Sequence, residues 1–386
     1  MKKIRVLNIQ SRICIGGPSI QTELVVKYLN RQRFTPLFLG GAVDVGEAPR
    51  HKDLERSGDR IEIISEMQRS HNPANELLAL YKIYRFLRQR KPHIVHTHTS
   101  KAGALGRIAA VLARTPVIIH TFHGHAFDHY FPKMQSALYV LIEKTLARFS
   151  NKIVAISALQ KRDLAEVYKI APKKKIEIIH VGHELKPFLD CVKSDELKKS
   201  LGIASVDVLI GAIGRLAPIK NFQMAIRVLA TLRENGQRCH LCIAGDGAER
   251  ASLEALAREL NVFSYVHFLG WIQDIERIYK GIDVLVLTSL NEGTPISIIE
   301  AMASRTPVVA TAVGGVPDLL QNGVNGIGCP SNDVVFMASQ IECVLKDQKG
   351  TNFMCQTARA FVQSEFSHEK LIAQLERLYL SFGINK

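Results

Sequence analysis

At 386 residues, 47% hydrophobic and 22% charged, the chain is too long for one ordinary domain and suits two soluble ones. No apolar run approaches the roughly 18 residues that cross a bilayer, and MKKIRVLNIQ, interrupted by Arg5 and Asn8, reads as a first strand and not a signal peptide. The net charge of +14 is lopsided: residues 1–190 hold 31 Lys and Arg against 16 Asp and Glu, whereas residues 191–386 hold 19 against 20.

In chain order, short apolar runs predict strands at IRVLNI, TPLFLGG, IEIIS, HIVHTH, PVIIHTFHG, KIVAIS and KIEIIHVG. Between them, amphipathic patterns predict helices at SIQTELVVKYLNRQ, ANELLALYKIYRFLRQRK, AGALGRIAAVLAR, MQSALYVLIEKTLARF and ALQKRDLAEVYKI. Continuous Val/Ile/Leu strands separated by helices mark a parallel sheet covered on both faces, the doubly wound pattern. Residues 186–206, with Pro187, Gly202 and mixed charge, read as a linker with a short helix. A second alternation follows: VLIGAIGRL, a helix from about Asn221, HLCIAGDG, ERASLEALAREL, VHFLGW, DIERIYKG, DVLVLTS, PISIIEAMAS and PVVATAVGG. The helical pattern HEKLIAQLERLYLSF closes the chain. The fold class is therefore α/β, with domains at 1–188 and 205–366 and the last helix, 367–386, joined to the first.

Seven scattered cysteines include one CxxC, Cys239 and Cys242, inside a predicted strand. Positions three apart on a strand face opposite ways, so these are expected to be buried thiols in a reducing cytoplasm and not a redox or metal half-site.

Ligands bind at the carboxyl ends of strands in open α/β folds, which directs attention to the loops that follow strands. Glu292-Gly293-Thr294-Pro295 and Glu300 follow DVLVLTS and open a helix, with Pro295 suited to its first position. A loop carboxylate there can bind sugar hydroxyls and one in the first turns can grip a ribose diol; acidic compensation of the helix dipole is the plainer explanation. Arg215 and Lys220, in GRLAPIKN after another strand, offer a planar fork and a compact charge that together suit a diphosphate. Surface ion pairs are the alternative. Gly245 in AGDG and the Gly314-Gly315 pair end two further strands, and the double glycine Gly16-Gly17 after the first strand lets backbone approach a phosphate closely at a helix N-terminus.

Taken in order, the early Gly-Gly loop, HTHTSKAGALGR at 96–107, HTFHGH at 120–125, GRLAPIKN, AGDG, FLGW, EGTPISIIEAMA and PVVATAVGGVPDLL resemble glycosyltransferase family 4 along nearly the whole chain. That resemblance implies a GT-B fold, two Rossmann-like domains facing across a cleft, and transfer of a sugar from a nucleoside diphosphate with retention of anomeric configuration. It further implies that Arg215 and Lys220 hold the diphosphate and Glu300 the ribose. Glu292, in the Glu292-Gly293-Thr294-Pro295 loop, would contact the donor sugar. Gly16 and Gly17, with Gly245, would line the phosphate, Trp271 would border the base, and His123 would sit beside the sugar. The transferases it is similar to imply a UDP-sugar, N-acetylhexosamines among them, with GDP-mannose left open, and a lipid-linked or other saccharide acceptor in cell-surface polysaccharide synthesis.

The crowding of His96, His98, His120, His123, His125 and His129 raises a metal site. No carboxylate pattern completes it and no Asp-x-Asp occurs, so no metal and no cofactor is expected: fixed cations and helix N-termini supply the positive charge. The expected mechanism is front-face displacement, with covalent double displacement through Glu292 second. The basic half, above all Arg85, Arg88, Arg90, Lys91, the helix from Lys133 to Arg148 and Lys173–Lys175, is expected to meet the anionic inner face of the cytoplasmic membrane, although a merely soluble basic domain would carry the same charge. A GT-B nucleotide-sugar epimerase would need no acceptor, and a nucleic-acid binder would explain the basic half but lacks its aromatic or finger motifs.

Overall fold

The computed structural model describes residues 3–11, 17–42, 61–67, 72–124 and 133–384. Their contacts divide into two units, Met1–His183 with His368–Lys386, and Glu184–Ser367. Of the early glycine pair, Gly17 is described and Gly16 is not, and His125 and His129 also lie outside the described residues.

The first unit is built on seven parallel strands in the order β3-β2-β1-β4-β5-β6-β7. They are β1 (Ile4–Gln10), β2 (Phe34–Gly41), β3 (Ile61–Ile64), β4 (Ile94–His98), β5 (Val117–Phe122), β6 (Lys152–Ala155) and β7 (Ile176–Ile178). Every residue of β4 and β5 is buried, polar His96, Thr97, His98, His120 and Thr121 included, so neither strand alternates between a buried and an exposed face. Successive residues of β1 feed opposite faces: Ile4 and Val6 pack with Leu24, Val25 and Leu375, whereas Leu7 and Ile9 pack with Ala79, Ile83 and Ala109. β1 lies between β2 and β4, so the chain reverses its winding between β1 and β4, the crevice where open α/β sheets bind ligands.

The helices of this unit are α1 (Gly17–Tyr28), α2 (Pro73–Arg90), α3 (Ser100–Leu112), α4 (Lys133–Phe149) and α5 (Ala158–Arg162). Asn72 caps α2, its side chain accepting from the Ala74 and Asn75 amides at 3.0 and 3.4 Å. The helix predicted across ALQKRDLAEVYKI changes to a π turn at Asp163–Val167. Between α3 and α4 lies a buried ion pair. Arg107 Nη2 donates to both carboxylate oxygens of Glu143 at 2.8 and 2.7 Å, and Arg107 Nε donates to the Gly103 carbonyl at 2.7 Å. The arginine of HTHTSKAGALGR thus ties two helices together.

The second unit has six parallel strands in the order β10-β9-β8-β11-β12-β13. These are β8 (Val208–Ile213), β9 (Cys239–Ala244), β10 (Val266–Gly270), β11 (Val284–Leu287), β12 (Val308–Thr311) and β13 (Ile327–Cys329). Its helices are α6 (Lys186–Leu189), α7 (Glu196–Ser200), α8 (Phe222–Glu234), α9 (Arg250–Glu259), α10 (Glu276–Gly281), α11 (Ile296–Ala303), α12 (Val316–Leu319), α13 (Val334–Lys346) and α14 (Gln348–Glu365). Cys239 and Cys242 are both buried in β9, Cys239 in the main cluster of this unit and Cys242 outside it, and burial pushes their thiols up to about 11 and about 12. α15 (His368–Leu380) belongs to the first unit, where Tyr379 is fully buried.

No element is predicted from the sequence between PVVATAVGG and the final helix, yet α13 and α14 fill most of that stretch. The buried residues of α13, Met337, Ala338, Ile341 and Val344, keep helical spacing on one face. Its opening Val334-Val335-Phe336 is strand-like in propensity, and tertiary packing overrides it. Asp347 ends α13 and caps α14, accepting from the Gly350 amide at 3.0 Å.

Candidate functional site

In the second unit, the loops after β8, β9, β11 and β12 meet at the carboxyl edge of the sheet. Arg215 is exposed in the loop after β8, and Lys220 ends the single 3-10 turn Pro218–Lys220 that leads into α8. Lys220 Nζ donates to Glu292 Oε1 at 2.6 Å, and Ser289 Oγ donates to the same oxygen at 2.6 Å. The two loops are sewn together in the backbone as well, with the Leu290 amide donating to the Ile219 carbonyl at 2.8 Å and Thr288 Oγ1 to the Lys220 carbonyl at 3.1 Å. The sequence assigns Lys220 to the diphosphate and Glu292 to the sugar; the structure places these side chains in direct contact. An anion drawn to Lys220 therefore meets a cation already oriented by a carboxylate.

Glu292-Gly293-Thr294 forms the loop, and Pro295 is the cap residue (φ −71, ψ 114), one position before the first helical residue of α11. That corrects the expectation of Pro295 at the first helical position, a shift of the size that helix ends commonly show. Glu300 is the fifth residue of α11 and only 8% exposed. The Tyr279 hydroxyl lies 2.7 Å from Glu300 Oε2, donating to it, and burial with the adjacent carboxylate raises the Tyr279 phenol well above its usual range. Tyr279, in turn, packs edge-on against Phe188 at 5.6 Å between ring centroids. Tyr279 was not singled out from the sequence, because a tyrosine in an amphipathic helix carries no signal of its partner 21 positions away.

Two glycines close the loops onto each other. Gly314 has φ 54, and a Cβ there would lie 2.1 Å from the Glu292 carbonyl; next to it, the Gly315 amide donates to that carbonyl at 3.0 Å. Gly245 has φ 138, and a Cβ would lie 1.9 Å from the Gly214 carbonyl beside Arg215. The AGDG glycine thus presses the β9 loop against the GRLAPIKN loop, a packing reason for the residue that stands beside its predicted phosphate role. Trp271 follows Gly270 (φ 68), just past the end of β10, and is 44% exposed.

The first unit carries the histidines. His96 Nδ1 lies 2.8 Å from the Tyr379 hydroxyl and its Nε2 lies 2.6 Å from Thr121 Oγ1; His120 Nδ1 lies 2.8 Å from Thr97 Oγ1. These two are satisfied core residues. His123 comes directly after β5, half-buried, with its Nε2 2.9 Å from His98 Nδ1. Burial lowers His96 to about 3 and His123 to about 4, and His98 and His120 well below their usual value, so all four are neutral near pH 7. Gly17 is the first residue of α1.

Two family models match the chain, "Glycosyltransferase Family 4" over residues 15–186 and "Glycosyl transferases group 1" over residues 193–361. The UDP-Gal:alpha-D-GlcNAc-diphosphoundecaprenol alpha-1,3-galactosyltransferase of Escherichia coli is 30% identical over 315 residues, 81% of each chain. The capsular polysaccharide biosynthesis glycosyltransferase CapM of Staphylococcus aureus is 26% identical over 341 residues, 86% of this chain and 88% of its own. Among solved structures, Anabaena Alr3699/HepE in complex with UDP superposes with a TM-score of 0.81 at 22% identity, covering 98% of this chain and 100% of that one.

Proposed function

The chain belongs to glycosyltransferase family 4 and is a glycosyltransferase of the GT-B fold; from that premise we propose that it transfers a sugar from a UDP-sugar to a saccharide carried on a polyprenyl diphosphate, with retention of configuration and without a metal. The observation that carries this reading is the cluster of Lys220, Glu292 and Ser289 at the sheet edge, with Arg215 in the adjoining loop and Glu300 one turn into α11. The E. coli relative is named for UDP-galactose and an undecaprenol diphosphate acceptor, and the Anabaena protein was solved with UDP; both support the choice of nucleotide.

In the proposed mechanism, Arg215 and Lys220 stabilise the charge that grows on the departing UDP, and Glu300 holds the ribose. Glu292, already held by Lys220 and Ser289, accepts from hydroxyls of the donor sugar. The acceptor hydroxyl attacks on the face from which the diphosphate leaves; the glycosidic bond to UDP breaks as the new one forms, and the proton passes to the leaving phosphate. The fixed cations replace a divalent metal, so turnover in EDTA is expected to match turnover without it. A panel of UDP-galactose, UDP-glucose, UDP-N-acetylglucosamine and GDP-mannose with a prenyl-diphosphate saccharide should yield a retained linkage from a UDP-sugar. Loss in EDTA restored by Mg²⁺ would remove metal independence, and sugar epimerisation without acceptor would favour the epimerase.

We further propose that the first unit docks on the anionic inner face of the cytoplasmic membrane. No described helix is long and apolar enough to cross a bilayer. Arg85, Arg88, Arg90 and Lys91 are all exposed, whereas Lys173 is paired with Glu166, which discounts part of the Lys173–Lys175 run. Beside the basic positions, α4 exposes Met134, Leu138, Leu141, Ile142 and Phe149 along one stripe, the pattern of a helix lying in a lipid interface. Each Lys or Arg near an anionic leaflet contributes about 1 kcal/mol. Sedimentation with phosphatidylglycerol vesicles is expected to show uptake, with release by salt and little uptake by neutral vesicles. Leu138→Glu with Leu141→Glu should weaken it without changing nucleotide-sugar affinity. Equal or absent binding to both vesicle types would contradict the membrane role.

A further inference from the structure

Three side chains converge at the carboxyl edge of the first sheet, next to its winding reversal: Asn8 of β1, His98 at the end of β4, and His123 just after β5. His98 Nε2 lies 3.2 Å from Asn8 Oδ1, and His98 Nδ1 lies 2.9 Å from His123 Nε2. Asn8 and His98 are 0% and 4% exposed, so water does not compete for the contact between them. We infer that His98, backed by Asn8, is a positioning residue that fixes His123 in one tautomer and leaves His123 Nδ1 as a hydrogen-bond acceptor for a sugar hydroxyl. This rests on the proposed sugar transfer and on the family resemblance, which implies that His123 sits beside the transferred sugar.

The proton count is closed. An amide oxygen only accepts, so His98 Nε2 carries the hydrogen and donates to Asn8. His98 Nδ1 is then a lone pair, so His123 Nε2 donates to it. Two neutral rings bring two N–H donors, and both are used in the chain. His123 Nδ1 is left unprotonated, with no partner among the described residues. Burial keeps both rings from taking a second proton near neutral pH. Asn8 Nδ2 is buried with no partner among the described residues, so the amide's one contact there is Oδ1 to His98.

The backbone next to His98 is strained in a way that holds the strand end in place. Thr99 has φ 63 and ψ 162, a region used almost only by glycine and unusual for a β-branched residue. Thr99 Oγ1 lies 2.6 Å from Ser11 Oγ, which also accepts from the Ala102 amide at 3.0 Å. Such strain costs on the order of 1–3 kcal/mol and persists where surrounding contacts over-determine it. The consequence is a specificity: a neutral acceptor nitrogen takes a hydroxyl and opposes a carboxylate. A UDP-uronate is expected to be a poorer donor than the corresponding UDP-hexose.

The test combines ¹⁵N NMR of the histidine rings with kinetics on the full chain. In the wild type, His123 should show Nε2 protonated and Nδ1 bare from pH 5 to 8. His98→Phe, which keeps a flat ring and removes both contacts, should give mixed His123 tautomers and lower kcat about 10- to 100-fold, with UDP affinity unchanged. His98→Gln, whose amide oxygen can accept from His123 Nε2, should restore the tautomer and most of the turnover. A protonated Nδ1 on His123 in the wild type overturns the proposal, and that measurement needs no variant to fold. If His123→Ala is inactive while His98→Phe keeps both tautomer and kcat, only the positioning role falls. If His123→Ala turns over normally, the reading of His123 fails first, and the positioning role with it.

Discussion

Lys220→Ala is expected to lower turnover about 100-fold or more, the usual cost of removing one preorganised group that stabilises charge developing in a transition state. The expectation comes from position. Lys220 ends the turn before α8 and is oriented by Glu292 at 2.6 Å, so its charge is in place before a diphosphate arrives. Arg215→Ala should lose activity on a similar scale, because its fork offers two parallel donors where Lys offers a point charge. Lys220→Ala also strips Glu292 of its cation while Ser289 Oγ still holds Glu292 Oε1, so the loop is expected to keep its shape. Steady-state kinetics on both variants, with circular dichroism as the control for folding, decide the matter. Near-normal turnover in both would remove these residues from the diphosphate.

Arg107→Met should destabilise the first unit by about 3–5 kcal/mol, the cost of leaving a buried charge unpaired. Arg107 is 0% exposed and Glu143 is 6% exposed at the side chain, and the guanidinium grips both carboxylate oxygens. For a unit of this size, that corresponds to a fall in Tm of roughly 6–20 °C. Removing both partners in Arg107→Met with Glu143→Leu should recover most of the loss, because apolar replacements of a buried pair are close to neutral. If the single substitution is as stable as the wild type, the pair contributes little and the helices hold by apolar packing alone.

Much of the architecture was legible because strands buried on both faces are rich in Val, Ile and Leu. β5 and β11, with every residue buried, announce themselves through Val117-Ile118-Ile119 and Val284-Leu285-Val286-Leu287, and the second alternation follows from the same rule. The loops rich in Gly, Lys and Glu were legible as loops that follow strands, the edge at which open α/β sheets bind ligands. Pairings between loops were not. Lys220 and Glu292 are 72 positions apart, His98 and His123 are 25 apart, and Arg107 and Glu143 are 36 apart; nothing in local periodicity says which will meet. Likewise α13 and α14 escaped notice: Val334-Val335-Phe336 favours strand locally, and the caps Asp333 and Asp347 are single residues among many similar ones. His96 and His120 looked like their neighbour His123 in sequence; both are 1% exposed and held by Tyr379, Thr121 and Thr97 inside the core, whereas His123 is half-buried and held by His98.

The most direct test of the central claim is thermal unfolding of the wild-type chain with a panel of UDP- and GDP-sugars. A ligand held at 100 times its Kd should stabilise by about 2.7 kcal/mol. For the second unit, that is a rise in Tm of roughly 5–10 °C with a UDP-sugar, which Lys220→Ala should largely abolish. No shift with any nucleotide-sugar, together with tight and salt-sensitive binding of RNA, would contradict the account.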